Sequence, residues 1–269
     1  MDRYRIPAGT EVDLSAWDPN DTAGFAGEKD EARGRLEELR DDLTSLQAMM
    51  WAESKHKLLV VLQAMDTGGK DGTIRNVFSG VNPQGVRVAN FKAPTSHELA
   101  RDYLWRIHSQ VPATGEITVF NRSHYEDVLV VRVLGLADEA RWRKRFSHIN
   151  AFEQLLTDEG TTIVKFYLHI SADEQKERLQ ARLDDREKHW KFNVDDLEHR
   201  TLWSSYMTAF EDVLSLTSTD NAPWYVVPAN RKWYRNLVVA EVIASTLRRL
   251  AMRYPESPED LSGVVIPEV

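Results

Sequence analysis

The chain of 269 residues contains no cysteine, which excludes disulfides and thiolate-held metal sites. It has no apolar run of membrane-spanning length and no charged-then-apolar leader. A cytoplasmic setting with no membrane partner is therefore expected. A positive balance is also missing: 34 Lys+Arg stand against 42 Asp+Glu, a net charge of −8. That argues against nonspecific nucleic-acid binding, which needs a basic surface. A long anionic ligand would instead need a local basic groove. There is no internal repeat and no low-complexity tract. The eight histidines (His56, His97, His108, His124, His148, His169, His189 and His199) are scattered without metal-ligand spacing. What is present is ample apolar material, 42% of residues. It suits one large α/β domain or a core with appendages. Trp203, Trp224 and Trp233 are expected in packing rather than stacking on bases.

The most informative stretch runs from Leu58 to Thr73. The apolar run Leu58-Leu59-Val60-Val61-Leu62 feeds Gln63-Ala64-Met65-Asp66-Thr67-Gly68-Gly69-Lys70-Asp71-Gly72-Thr73, and a helix-compatible stretch follows. This is the form of a phosphate-binding loop. Glycines let backbone N–H groups close around phosphate oxygens. The helix start adds unpaired donors and positive dipole character, and Lys70 adds a mobile charge. Gly68, Gly69, Lys70, Asp71, Gly72 and Thr73 are the candidate phosphate ligands. Two departures stand out. Ala64 replaces the usual first glycine, and Asp71 replaces the usual hydroxyl residue. Asp66 is a candidate metal ligand or substrate-positioning carboxylate. A Gly-Gly-Lys alone is commonplace; its place between a buried strand and a helix, flanked by two acids, is what points to phosphate.

Periodicity predicts strands at Lys57–Gln63, Val86–Phe91, Glu116–Phe120, Thr161–Ile170 and Trp224–Val227. Helices are predicted at 28–54, 70–79, 96–108 with Ser96 as N-cap, 138–158, 171–183 with Ser171 capping Glu174, 195–217 and 232–254. The alternation predicts an α/β fold: a five-stranded parallel sheet with helices on both faces. Residues 1–27 read as an extended arm lying over the body or a partner, 28–255 as one domain, and 256–269 as a loose tail. Ligands of such sheets bind at the carboxyl ends of strands, where Asp66–Thr73, Lys92–Thr95 and Asn121–Asp127 fall together.

Asn121 follows the third strand where a magnesium-holding acid is usual, so metal or substrate positioning is expected to move to Glu126 and Asp127. The charged stretch 182–193 holds Arg182, Arg186, Lys188 and Lys191 around Trp190. It is read as a mobile lid whose cations meet phosphate on closing, rather than a solvated face. Arg178, one turn before Arg182, joins them. Lys92 and Arg75 are each either a solvated cation or a phosphate contact, and both are kept as candidates. Arg141, Arg143, Lys144 and Arg145 read as a solvated helix face. The cluster Arg231-Lys232-Trp233-Tyr234-Arg235 either contacts a nucleotide or polyanion or packs the start of the last helix.

Three segments together resemble the polyphosphate kinase 2 family: Met65–Thr73, Phe120–Asp127 (Phe-Asn-Arg-Ser-His-Tyr-Glu-Asp) and Lys188-His189-Trp190-Lys191-Phe192. Pro223-Trp224-Tyr225 and Asn230–Arg235 fit as well, so the resemblance spans about residues 30–255. It implies a three-layer phosphate-loop kinase fold like that of thymidylate kinase, with a helical lid. It implies phosphoryl transfer from inorganic polyphosphate to a nucleotide, with magnesium, or manganese in its place. Asn121 and Glu126 resemble the class, class III, that accepts both mono- and diphosphates, so AMP gives ADP and ADP gives ATP. On this resemblance Asp66, Lys70, Lys92 and Arg122 are the catalytic candidates. Asp66, Asn121, Arg122, Glu126 and Asp127 would hold the nucleotide, and Asp66, Glu126 and Asp127 the metal. The loop, with Arg75, Arg178, Arg182, Arg186, Lys188 and Lys191, would hold polyphosphate. The expected partners are polyphosphate and adenine nucleotides, with guanine nucleotides as the alternative, and a homo-oligomer, dimer or tetramer. An ATP-dependent nucleotide or small-molecule kinase on the same fold, or a noncatalytic polyphosphate sensor, are the competing readings.

Overall fold

Strands form where apolar and β-branched residues run without interruption. In the computed structural model, which describes residues 1–257 and 259–268, β1 (Lys57–Gln63) is buried over all but its first residue. A strand covered on both faces has no polar side to alternate with, hence the continuous run. β1 is central in a five-stranded sheet with β2 (Val86–Asn90), β3 (Ile117–Asn121), β4 (Thr161–His169) and β5 (Trp224–Pro228), in the order β2-β3-β1-β4-β5. Every pairing is parallel, as the alternation predicted.

The helices are α1 (Lys29–Glu53), α2 (Lys70–Val77), α3 (Ser96–Leu99), α4 (Trp105–His108), α5 (Val130–Val133), α6 (Glu139–Asp158), α7 (Ala172–Leu183), α8 (Asp195–Thr201), α9 (Trp203–Thr217) and α10 (Lys232–Arg249). α10 packs on α1 and α2 over one face of the sheet, and α6 packs on β4 and α9 over the other. β4 shows the second face: Tyr167 stacks on Phe210 of α9 at 4.4 Å between ring centroids, and Lys165, two residues away on the same side, reaches Glu153 of α6. Among the described residues no helix is long and apolar enough to cross a membrane.

Three helix expectations change. The predicted helix over 96–108 is two short helices, capped by Thr95 rather than Ser96. Thr95 and Glu98 form a reciprocal capping box. The chain then breaks where the Asp102 carboxylate accepts from the Leu104 amide at 3.0 Å, a local bond that competes with helix. The predicted helix over 195–217 breaks at Leu202. The last helix ends at Arg249 because Ala251 takes a left-handed conformation at φ 52°. Ser171 caps α7 through the Glu174 amide, at 3.1 Å.

Residues 1–27 seat on the chain's own body, first at the β5 edge and then on α9. The Ile6 amide donates to the Trp224 carbonyl at 2.8 Å, the Val12 amide to Ser215 Oγ at 2.9 Å, and the Leu14 amide to Glu211 Oε1 at 2.9 Å. Tyr4, Ile6, Val12 and Leu14 are buried there. In the tail 256–269 the described residues form no helix or strand; Pro258 and Val269 lie outside them.

Candidate functional site

β1 ends at Gln63, and the loop to α2 turns through Thr67 at φ 62° and Gly69 at φ 102°. Gly68 has no room for a side chain, since a Cβ would stand 2.4 Å from the Ala64 Cβ and 2.8 Å from the Met65 carbonyl. The alanine that departs from the usual loop pattern is thus the surface against which Gly68 closes. Lys70, Asp71 and Gly72 open α2 without a side-chain cap, so their amides remain available to an anion. Lys70 Nζ donates to the Ala64 carbonyl at 3.0 Å. Burial and the nearby Arg122 charge push its pKa down, against the pull of Asp66 and Glu126. Thr73 is placed differently from the expectation. Both its amide and its hydroxyl donate to the Gly69 carbonyl, at 2.9 and 3.1 Å, so the hydroxyl turns into the helix.

The carboxyl end of β3 brings Arg122 to Asp66. Arg122 Nη2 donates to Asp66 Oδ1 at 3.0 Å. His199 Nδ1 meets Asp66 Oδ2, also at 3.0 Å. Burial pushes the Asp66 carboxyl up, but the His199 bond and the Lys70 and Arg122 charges outweigh it, and its pKa is held at about 2. Glu126 shares the cleft with Asp66, Arg122, His199 and Tyr206, floored by Met65, Leu129 and Phe210. Asn121 Nδ2 donates to Asp71 Oδ1 at 2.7 Å and to Asn90 Oδ1 at 2.8 Å, tying the ends of β2 and β3 to the loop. Arg122 sits at φ 61°, a conformation that is strained for a residue with a Cβ.

Other expected residues lie elsewhere. Asp127 turns from the cleft to Arg145, whose Nη1 donates to its carboxylate at 3.0 Å and its carbonyl at 2.8 Å. Burial raises Asp127 to about 6 despite the Arg145 charge. Arg145 is correspondingly buried, unlike the exposed Arg141, Arg143 and Lys144 of the same helix; the solvated-face expectation fails for it because Asp127 offers it a partner. Arg178, expected in the lid, is a buried clamp. It donates to the carbonyls of Thr67 at 3.0 Å, Ala229 at 2.6 Å and Asn230 at 3.1 Å, and to Glu174 at 2.7 Å. It fixes the left-handed Thr67 from behind. Arg182 binds the Lys191 carbonyl at 3.1 Å and so closes the segment that follows α7. Arg186, Lys188 and Lys191 stand exposed on the 3-10 turn Arg186–Lys191, Lys188 paired with Asp185 at 2.6 Å. Lys92 and Arg75 are exposed cations at the same edge of the sheet and on α2.

Four participants were not singled out as site residues. His199 is separated from Asp66 by 133 positions. Gln175 Nε2 holds the Asp66 carbonyl at 3.1 Å, and Tyr206 lines the cleft. Arg235, left open between ligand contact and packing, is buried with its guanidinium against Gly69, where a Cβ would stand 1.9 Å from Nη1. Among the described residues its guanidinium donates only to Asn236 Oδ1, and burial next to Arg178 pushes its pKa down to about 9. No spacing signal could reveal the first three; Arg235 lay in a cationic cluster that composition alone could flag.

Asp66 and Glu126 supply oxygen donors of the kind a hard divalent cation takes. No group of three or more His, Cys, Asp and Glu among the described residues could hold a metal alone. Two carboxylates beside a phosphate loop suit a cation completed by substrate phosphates, so these residues fit one. Asp127 does not, because its carboxylate is turned out of the cleft toward Arg145, whereas Asp66, though bonded to Arg122 and His199, lines it.

Residues 26–255 match the family model for polyphosphate kinase 2. A curated relative, the AMP/ADP-polyphosphate phosphotransferase of Meiothermus ruber, is 56% identical over 268 residues, covering 100% of both chains. The ADP-polyphosphate phosphotransferase of Rhodopseudomonas palustris is 45% identical over 267 residues, 95% of this chain and 92% of that one. The crystal structure of polyphosphate kinase 2 from Arthrobacter aurescens TC1 superposes with a TM-score of 0.94 at 45% identity, covering 97% of this chain and 93% of that one.

Proposed function

The chain belongs to the polyphosphate kinase 2 family, and from that premise we propose that it moves the terminal phosphoryl group of inorganic polyphosphate to AMP and to ADP, giving ADP and ATP. The carrying observation is the Asp66–Arg122 pair and Glu126 in one cleft at the start of the loop, with Lys70 close enough to feel the charges of all three. A phosphate oxygen of the acceptor would attack the terminal phosphorus of polyphosphate. The bond to the next phosphate would break, and the shortened chain would leave with the electron pair. The acceptor needs little deprotonation, because a phosphate monoester has its second pKa near ~6. Asp66, held at about 2, is too weak a base to take a proton. Its role in this reading is to orient Arg122 and the acceptor oxygen.

The loop amides and Lys70 would carry the donor's charge, and Arg122 would grip the acceptor phosphate through two N–H groups. The exposed cations of the 186–191 turn would close over the transferring group and exclude water. A divalent metal, which we take as magnesium with manganese as substitute, would be held by Asp66 and Glu126 and neutralise phosphate charge. The same proposal sets the reaction in the cytoplasm and in a homo-oligomer, dimer or tetramer, with guanine nucleotides as alternative acceptors.

The test is transfer from long-chain polyphosphate with magnesium, AMP and ADP offered separately and ATP withheld. ADP and then ATP appearing from AMP supports the full reading. ATP from ADP alone removes AMP as acceptor. No product from either, with turnover once ATP is the donor, replaces it with an ordinary kinase.

A further inference from the structure

On the α6–α9 side of the sheet lies a buried charged group that the reaction above does not use. Glu153 on α6 is 2% exposed. Its carboxylate accepts from Lys165 Nζ at 2.5 Å, from the Tyr125 hydroxyl at 2.8 Å and from His124 Nε2 at 3.2 Å. Lys165, fully buried on β4, spends its other hydrogens on the Tyr125 hydroxyl at 2.9 Å and the Thr217 carbonyl at 2.7 Å. All three ammonium hydrogens are thereby used. Such a pair is costly to desolvate, and apolar residues of the same volume would hold α6 to β4 at least as well. Packing alone does not account for it.

Its position does. Two of the three donors to Glu153 are consecutive residues of the 3-10 turn His124–Asp127. Glu126 is the next residue, and Arg122 precedes the pair by two. Above the pair, Ser123 is tied to β1 by Gln63 Nε2 at 3.1 Å. Arg122 leaves the sheet at φ 61°, a conformation that lasts only where its surroundings hold it. The turn that follows is held from below by Glu153.

We propose that Glu153 and Lys165 form a positioning pair that sets the His124–Tyr125 backbone, and so holds Arg122 and Glu126 opposite Asp66 for the acceptor nucleotide. The inference rests on the functional reading above. Because the pair touches the turn that carries Glu126 and not the phosphate loop, its loss changes acceptor affinity and leaves donor affinity alone.

The experiment compares Glu153→Gln, Lys165→Met, the double variant and Tyr125→Phe with the unaltered chain, in steady-state kinetics and thermal melts. Glu153→Gln is expected to raise KM for AMP by about ten-fold, with KM for polyphosphate within about two-fold of the unaltered chain. The double variant leaves no orphaned charge, so its Tm recovers above both single variants while the raised AMP KM persists. Tyr125→Phe keeps the ion pair and raises the AMP KM by about three-fold, so the inference stays testable even where the charged single variants fail to fold. A double variant with unaltered AMP kinetics overturns the inference, as does a rise of donor and acceptor KM together. An unaltered chain that transfers no phosphate overturns the functional reading and this inference with it, whereas normal transfer beside an unaffected double variant overturns this inference alone.

Discussion

Lys70 is held between the Ala64 carbonyl and the acids of the cleft, with its charge aimed where donor phosphate would lie. Lys70→Ala removes that charge and one hydrogen bond, to a carbonyl of the loop itself. Transfer is expected to fall by roughly 10³-fold or more, on the scale of losing an oriented charge-stabilising donor, while circular dichroism and Tm stay near those of the parent. Lost folding would make the lysine structural instead. Asp127 gives a prediction about pH. Burial lifts its folded pKa to about 6, against an unfolded value of about 3.9. Between those values the folded chain keeps a proton that the unfolded chain has lost. Its stabilising contribution is therefore complete below about pH 4 and is lost as pH rises through about 6, by roughly 3 kcal/mol at most. Asp127→Asn cannot ionise, so the variant's Tm minus the parent's is expected to climb between about pH 4.5 and 7.5. A flat difference across that range refutes the assignment.

The element that follows α7 is where motion would be concentrated. Arg182 and Asp196 hold its ends, while Trp190 is 79% exposed and Arg186, Lys188 and Lys191 face solvent. Few buried contacts and many solvated groups mark a segment of low local stability. Trypsin is expected to cut first within 184–193, and long-chain polyphosphate to slow that cut by about ten-fold through closure of the segment. Equal rates with and without polyphosphate would make it a static face. The loop to α2 behaves oppositely. Gly68 against Ala64, and Arg178 against Thr67, brace it, so its amides would meet an anion already placed.

At the scale of the whole molecule, the first 27 residues finish the body. They cover the β5 edge and bury Tyr4, Ile6, Val12 and Leu14. An uncovered apolar strand edge invites pairing with other chains. Removing residues 1–27 is expected to lower Tm by well over 5 °C, at roughly 2–4 °C per kcal/mol for a chain of this size, and to promote aggregation seen in light scattering. A truncated chain that melts like the parent would show the arm to be dispensable.

The elements and the donor loop were legible because their signals are local. The run Leu58–Leu62, the turn Gly68–Gly69 and the start of α2 are contiguous, and strand-helix alternation then requires a parallel sheet. Ser171 as a cap was readable from three residues of spacing. The split of 96–108 was not, since the Asp102 side chain offers the backbone a local bond that competes with helix, and context decides between them. The sequence by itself determined the sheet, the phosphate loop and the family. Tertiary structure alone decided that His199 and Gln175 reach Asp66, that Arg178 braces the loop, and that Asp127 faces Arg145 rather than the cleft. These residues lie on separate elements, and which side chains meet depends on how helices seat on the sheet, through packing and burial that no spacing along the chain records.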